Sequence, residues 1–185
     1  MKTIKSFLFI TIAVALSACG GATDSDNPPT VEDAWTVFEQ GDYEQALKDF
    51  EKLNSPEATE GAAWSALFLD SLNYAEGKFE ENAGEQRIDS NAGWSLALWA
   101  IGNYSKSIER ADIVLSAESS YSFVHYTSFN AEDLLWLQAV GYFHLVNYSK
   151  CIEKIKLLDS TFSASVSDPD IARILLEKLE ELDIL

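Results

Sequence analysis

The sequence is short of most residues that chemistry needs. It holds two cysteines, two histidines and one methionine in 185 residues, and 13 basic side chains against 30 acids. No Cys-x-x-Cys or His-Glu-x-x-His spacing occurs, which excludes the ordinary zinc patterns. Glycine-rich phosphate loops and the Gly-x-Ser-x-Gly nucleophile turn are missing too. Asp24-Ser25-Asp26-Asn27 lacks the later Gly and Glu of a calcium loop. No metal, cofactor or small-molecule substrate is therefore expected. A formal charge of −17 repels nucleic acid and anionic headgroups and suits a basic partner. Alternating hydrophobicity long enough for strands is absent. The longest apolar run, Phe7 to Leu16 broken only by Thr11, is about ten residues, half of the roughly 20 that cross a bilayer as a helix.

That short run has a context. Lys2 and Lys5 precede it, and small residues Ser17 and Ala18 follow before Cys19. A positive start, a short apolar centre and a small-residue exit predict a cleaved export signal over residues 1–18. Leu16-Ser17-Ala18-Cys19 resembles the bacterial lipobox at all four positions. The resemblance implies cleavage before Cys19, a diacylglyceryl group on its thiol and a fatty acyl chain such as palmitate on its new amine. Two or three chains give stable anchoring where one holds only marginally. Gly20 stands where Asp would retain such lipoproteins in the inner membrane, so the resemblance implies the outer membrane and a periplasm-facing protein. Residues 19–29, with no large apolar side chain, predict a flexible tether reaching up to about 35 Å. Losing the two lysines of the signal moves the side-chain charge from −17 to −19 and leaves 167 residues, enough for one domain. With Cys19 lipidated, Cys151 has no partner and reads as a small buried hydrophobe on a helical stripe.

The remainder repeats itself. Gly41-Asp42-Tyr43-Glu44-Gln45-Ala46-Leu47, Gly102-Asn103-Tyr104-Ser105-Lys106-Ser107-Ile108 and Val146-Asn147-Tyr148-Ser149-Lys150-Cys151-Ile152 share one register. Apolar or small residues at offsets 3, 4, 7 and 10 from each tyrosine trace one helical face. An aromatic lies five residues before each: Phe38, Trp99 and Phe143. A weaker copy pairs Tyr74 with Phe79 after Gly77. This register resembles the tetratricopeptide repeat (TPR), in which each unit is two antiparallel helices joined by a tight turn. Ala34, Ala139 and Ala46 match its small positions, and Leu98 and Tyr142 its large one. Starts at 43, 79, 104 and 148 are spaced 36, 25 and 44 residues rather than evenly, and Asp70 falls where the Phe79 unit needs a small residue.

The resemblance implies an all-α, right-handed solenoid of about four irregular hairpins over residues 30–185. Local signals agree: Thr30 with Asp33 as a capping box, Pro56 in a first helical turn, and Asn130 as a cap. After Ser167-Asp168-Pro169-Asp170, Ile171, Ile174, Leu175, Leu179 and Leu182 predict a C-terminal capping helix.

Function follows less directly. Trp35, Trp64, Trp94, Trp99 and Trp136 all fall in predicted first helices, which line the concave side of TPR-like folds. There they serve either as core or as an aromatic peptide-binding groove. The insertion of residues 119–130 lengthens the last spacing. Its Tyr121, Phe123, His125, Tyr126 and Phe129 either contact a partner or cover the solenoid. His144, among Phe143, Leu145 and Val146, reads as structural. The function expected is a noncatalytic, lipid-anchored adaptor binding a protein or peptide. Membership of an outer-membrane assembly, secretion or pilus machine is an alternative, and an envelope hydrolase using His125 is the alternative of another class. An enclosed His125 beside an acid would favour the hydrolase, an open tryptophan groove the adaptor.

Overall fold

Four chain reversals are built identically, and they set the architecture. In the computed structural model, which describes residues 28–182, Gly41, Asp70, Gly102 and Val146 all adopt left-handed backbone (φ 83°, 57°, 80° and 57°). Each N–H donates to the carbonyl three residues back, and the next N–H to the carbonyl five back. The pairs are Gly41 to Phe38 and Asp42 to Val37, Asp70 to Leu67 and Ser71 to Ala66, Gly102 to Trp99 and Asn103 to Leu98, and Val146 to Phe143 and Asn147 to Tyr142, at 2.8–3.3 Å. This is the Schellman closure, which satisfies the last carbonyls of one helix and turns the chain into the next.

The hairpins so formed are α1 (Val31–Glu39) with α2 (Tyr43–Phe50), α3 (Pro56–Phe68) with α4 (Leu72–Glu81), α5 (Ile88–Ala100) with α6 (Tyr104–Ala117), and α7 (Ala131–His144) with α8 (Tyr148–Leu158). A single helix, α9 (Ile171–Glu181), follows. Among the described residues the only strand-like pairing is an isolated bridge between Ser122 and Asn130. The helix starts match their local chemistry. Thr30 and Asp33 form a capping box, Ser55 caps α3 with Pro56 in its first turn, and Asn130 and Asp133 form a second box.

The register of the second unit differs from the sequence reading. Its second helix begins at Leu72, not at Phe79, so the helix starts fall at 43, 72, 104 and 148. Leu72 replaces the tyrosine and Asp70 the turn glycine, while Gly77, exposed inside α4, imitates a turn. In the corrected register the small first-helix residue of that unit is Ala63, and Phe79 falls in line with Phe50, Ala111 and Ile155, all fully buried.

One small pair closes every hairpin. Ala34 with Ala46, Ala63 with Ala75, Ser95 with Ser107 and Ala139 with Cys151 hold the same positions in their units, and each is at most 1% exposed. Side chains this short let the two helix axes approach. The serine pair keeps its hydroxyls satisfied: Ser95 Oγ donates to the Ser107 carbonyl (3.0 Å) and Ser107 Oγ to the Ser95 carbonyl (2.8 Å). Cys151 is buried as expected, and burial pushes its thiol up to about 12.

Unit packs on unit through rings laid on glycines. A Cβ at Gly61 of α3 would lie 2.3 Å from the Phe50 ring, and one at Gly93 of α5 would lie 2.3 Å from the Phe79 ring. The chain end is covered as a solenoid requires. Ile171, Leu175 and Leu179 of α9 are buried, Trp136 Nε1 of α7 donates to the Leu179 carbonyl (3.2 Å), and Lys178 pairs with Asp159 at 2.8 Å.

Candidate functional site

The first helices α1, α3, α5 and α7 lie side by side and build one face of the array. In the structure that face is occupied. The segment between α6 and α7 does not hang outward but folds back over it as a lobe, residues 121–130. Its neck is closed by two backbone hydrogen bonds, Phe123 N–H to the Phe129 carbonyl (3.0 Å) and Ala131 N–H to the Tyr121 carbonyl (2.9 Å).

The lobe contacts three units in turn. Tyr121 donates its hydroxyl to Asp89 at the start of α5 (2.9 Å). Phe123 stacks on Trp64 of α3 (centroids 4.1 Å, 14°) and meets Trp35 and Phe38 of α1 edge-on. Phe129 meets Trp64 from another side (5.6 Å), and Tyr126 packs edge-on to Phe68 (4.9 Å). His125 lies flat on Trp35 (3.8 Å, 0°), with its Nδ1 2.8 Å from Glu39 Oε1. Such ring pairs contribute about 0.5–1.5 kcal/mol each beyond the area they bury.

The structure thus brings together Trp35, Trp64, Tyr121, Phe123, His125, Tyr126 and Phe129. Of these only His125 and Tyr126 retain substantial exposure. Trp99 and Trp136 pair with each other further along the face (5.5 Å). Trp94 goes elsewhere. Its Nε1 reaches toward Glu76 of α4 and the Arg110 guanidinium of α6 lies 3.8 Å over its ring, so it packs between second helices and leaves the first-helix face.

Polar residues beneath the lobe escaped the sequence reading. Glu60, 2% exposed, accepts two bonds from Arg87 (Nε 3.0 Å, Nη2 2.9 Å) and a third from Ser90 Oγ (2.6 Å). Asn82 ties Ser90 to the Pro56 carbonyl. Burial pushes the Asp89 carboxyl above the usual carboxylate range, partly offset by the Tyr121 hydroxyl. Burial first, then the Asp89 carboxylate, pushes the Tyr121 phenol far up. Nothing in sequence singles out these acids among thirty. Their partners are 27 to 32 residues away.

His125 does face an acid, but at the rim: the Glu39 side chain is 52% exposed. The tryptophan groove is not open either, because the lobe fills it. A cavity of about 360 Å³ lies elsewhere, between α2, α3 and α4, beside Phe50, Tyr74 and Lys78. His144 stacks on Tyr104 (4.3 Å, 3°) and burial lowers its pKa, in keeping with a structural part. Residues 1–27, with the predicted signal, Cys19 and most of the tether, lie outside the described residues.

Repeated Schellman turns, small pairs at each hairpin and side-by-side first helices decide the architecture. The fold is TPR-like. Solved structures with this fold include MamA MSR-1 C2, at 12% identity and TM-score 0.63 over 82% of this chain and 93% of that one. MamA 41-end from Desulfovibrio magneticus RS-1 is similar at 15% identity and TM-score 0.59, covering 84% and 97%. A tetratricopeptide repeat protein from Parabacteroides merdae is similar at 14% identity and TM-score 0.55, covering 82% of this chain and 58% of that one. No protein-family model and no curated relative matches the sequence. Identities this low make the likeness one of fold.

Proposed function

We propose that this chain is a noncatalytic adaptor, anchored to the bacterial outer membrane by lipid on Cys19, that presents its helical array to a protein or peptide on the periplasmic side. The observation that carries the adaptor reading is the first-helix face. It gathers Trp35, Trp64, Trp99 and Trp136, the kind of ring that anchors peptide-binding hot spots, beside the carboxyl groups of Glu39 and Asp89, and the 121–130 lobe covers its Trp35 and Trp64 end. Those acids and the overall charge of −17 favour a basic partner. The anchor rests on the lipobox-like Leu16–Cys19, and the choice of membrane on Gly20. Function does not follow from fold alone, so the reading stands on this face and on the N-terminus together.

Two measurements test it. Crosslinking in intact cells, then pull-down of the tagged chain, is expected to yield a reproducible envelope protein. A clean pull-down with no specific envelope partner overturns the adaptor. Palmitate labelling and membrane fractionation of wild type and Cys19→Ala test the anchor separately. Label in the wild type alone supports it, and an unlabelled soluble wild type rejects it.

A further inference from the structure

The 121–130 lobe lies along the first-helix face as a bound peptide would, and this suggests what else could lie there. We propose that the lobe is an internal ligand that holds this face closed, and that the partner displaces it with an extended segment carrying an aromatic residue two positions before a basic one. The inference rests on the adaptor reading and names its partner chemistry.

Three observations carry it. First, the lobe meets the face in peptide fashion. Phe123 fills a slot between Trp64 and Trp35, and two residues on, His125 sits on Trp35 with a ring nitrogen 2.8 Å from Glu39. An incoming ring fits the same slot, and an arginine or lysine meets Glu39 with a permanent charge where the lobe offers only a histidine. Second, closure leaves defects. The indole N–H groups of Trp35 and Trp64, the two rings on which His125 and Phe123 of the lobe stack, are buried without an acceptor, and the Asp89 carboxyl is buried against Tyr121. An unmade buried hydrogen bond is a penalty on the closed state wherever opening would admit water to it. Third, the lobe lies between two complete helices, α6 and α7, whose backbone hydrogen bonds do not depend on it, although Tyr121, Phe123 and Phe129 are themselves buried in the core. Val124, Thr127 and Ser128 at its tip are exposed.

The test uses the full-length chain in detergent and a fluorescent synthetic peptide with the lobe's own sequence, Ser119 to Ala131. Competition with a tethered segment lowers apparent affinity by the fraction of time the face is open. Anisotropy should therefore show weak binding to wild type and binding at least about tenfold tighter to Phe123→Ala/His125→Ala. The same peptide with arginine in place of His125 should bind tighter still, and one with alanine in place of Phe123 should not bind. A second variant replaces residues 122–129 with a glycine-serine segment of equal length, in case the first does not fold. Equal peptide binding by wild type and a folded open variant, or binding that ignores the ring, overturns the proposal. So does failure of both variants to fold, which would make the lobe an inseparable part of the core. Concentration-dependent dimers of the wild type would assign the face to a second copy's lobe and equally overturn it. An inseparable lobe would also remove this face as the adaptor's binding surface, whereas crosslinking tests for an envelope partner whichever surface binds it.

Discussion

Val146 is the clearest place to test whether the four turns matter as equals. It holds φ 57° where the first and third turns use glycine, and the residue is 68% exposed. A β-branched residue in left-handed backbone is strained by roughly 1–2 kcal/mol. Val146→Gly removes that strain and gives up little burial. The unfolded chain, however, gains freedom worth roughly 0.5–1 kcal/mol. The net expectation is a stabilisation of about 0.5–1 kcal/mol, or about 2–4 °C per kcal/mol in thermal midpoint for a chain of this size. The reciprocal change sharpens the test. A Cβ at Gly102 would meet nothing within 4 Å, so Gly102→Val acts through backbone alone and should destabilise by a similar amount. Urea and thermal unfolding followed by circular dichroism measure both. A loss of stability in Val146→Gly, or no loss in Gly102→Val, would refute the claim that the turns are set by left-handed residues.

Three further predictions follow from the interior. Gly61→Ala and Gly93→Ala each force a methyl into a phenylalanine ring and should destabilise by about 1–3 kcal/mol in urea melts, with Phe79→Leu partly rescuing the second. Arg87→Met leaves Glu60 buried without its ion-pair partner, so a loss of about 3–5 kcal/mol is expected, largely recovered in Glu60→Gln/Arg87→Met. Asp89 carries a raised carboxyl pKa, so the folded state holds the proton more tightly than the unfolded chain. Its favourable contribution is complete below the ordinary carboxylate value and is lost as pH rises through the native one. Asp89→Asn, whose amide oxygen can still accept from Tyr121, should therefore gain stability relative to wild type as pH rises from 3 to 7. A variant that instead loses stability relative to wild type over that range would contradict the assignment.

What could be read from sequence divides by distance along the chain. The caps at Thr30 and Asn130, the start at Pro56 and the turn at Gly41 are statements about neighbours at most five residues apart, and local chemistry determines them. The second unit hides its register because Asp70 and Leu72 stand where the first and third turns have glycine and tyrosine, while Gly77 offers a false marker inside α4. The aromatic insertion at 119–130 was visible as composition, but its resting place was not. Nothing local tells Phe123 to choose Trp64, 59 positions away, over solvent or a partner. Trp94 shows the same limit on a smaller scale. Its place in a first helix is local, but its direction is set by Glu76 and Arg110, each at least 16 residues away.

A linear stack of repeats ordinarily behaves as a one-dimensional chain in which each unit senses only its neighbours and the ends fray first. The lobe changes that connectivity. By joining His125 to Glu39 across 86 residues, it ties the α1–α2 unit to a segment that enters the fourth. The first unit then cannot melt by itself without also stripping contacts from the lobe and α3, so the array should unfold in a single cooperative step. Any ligand that lifts the lobe would restore end-fraying, and occupancy of the face would be readable as faster hydrogen exchange in α1, far from the hinge that moved.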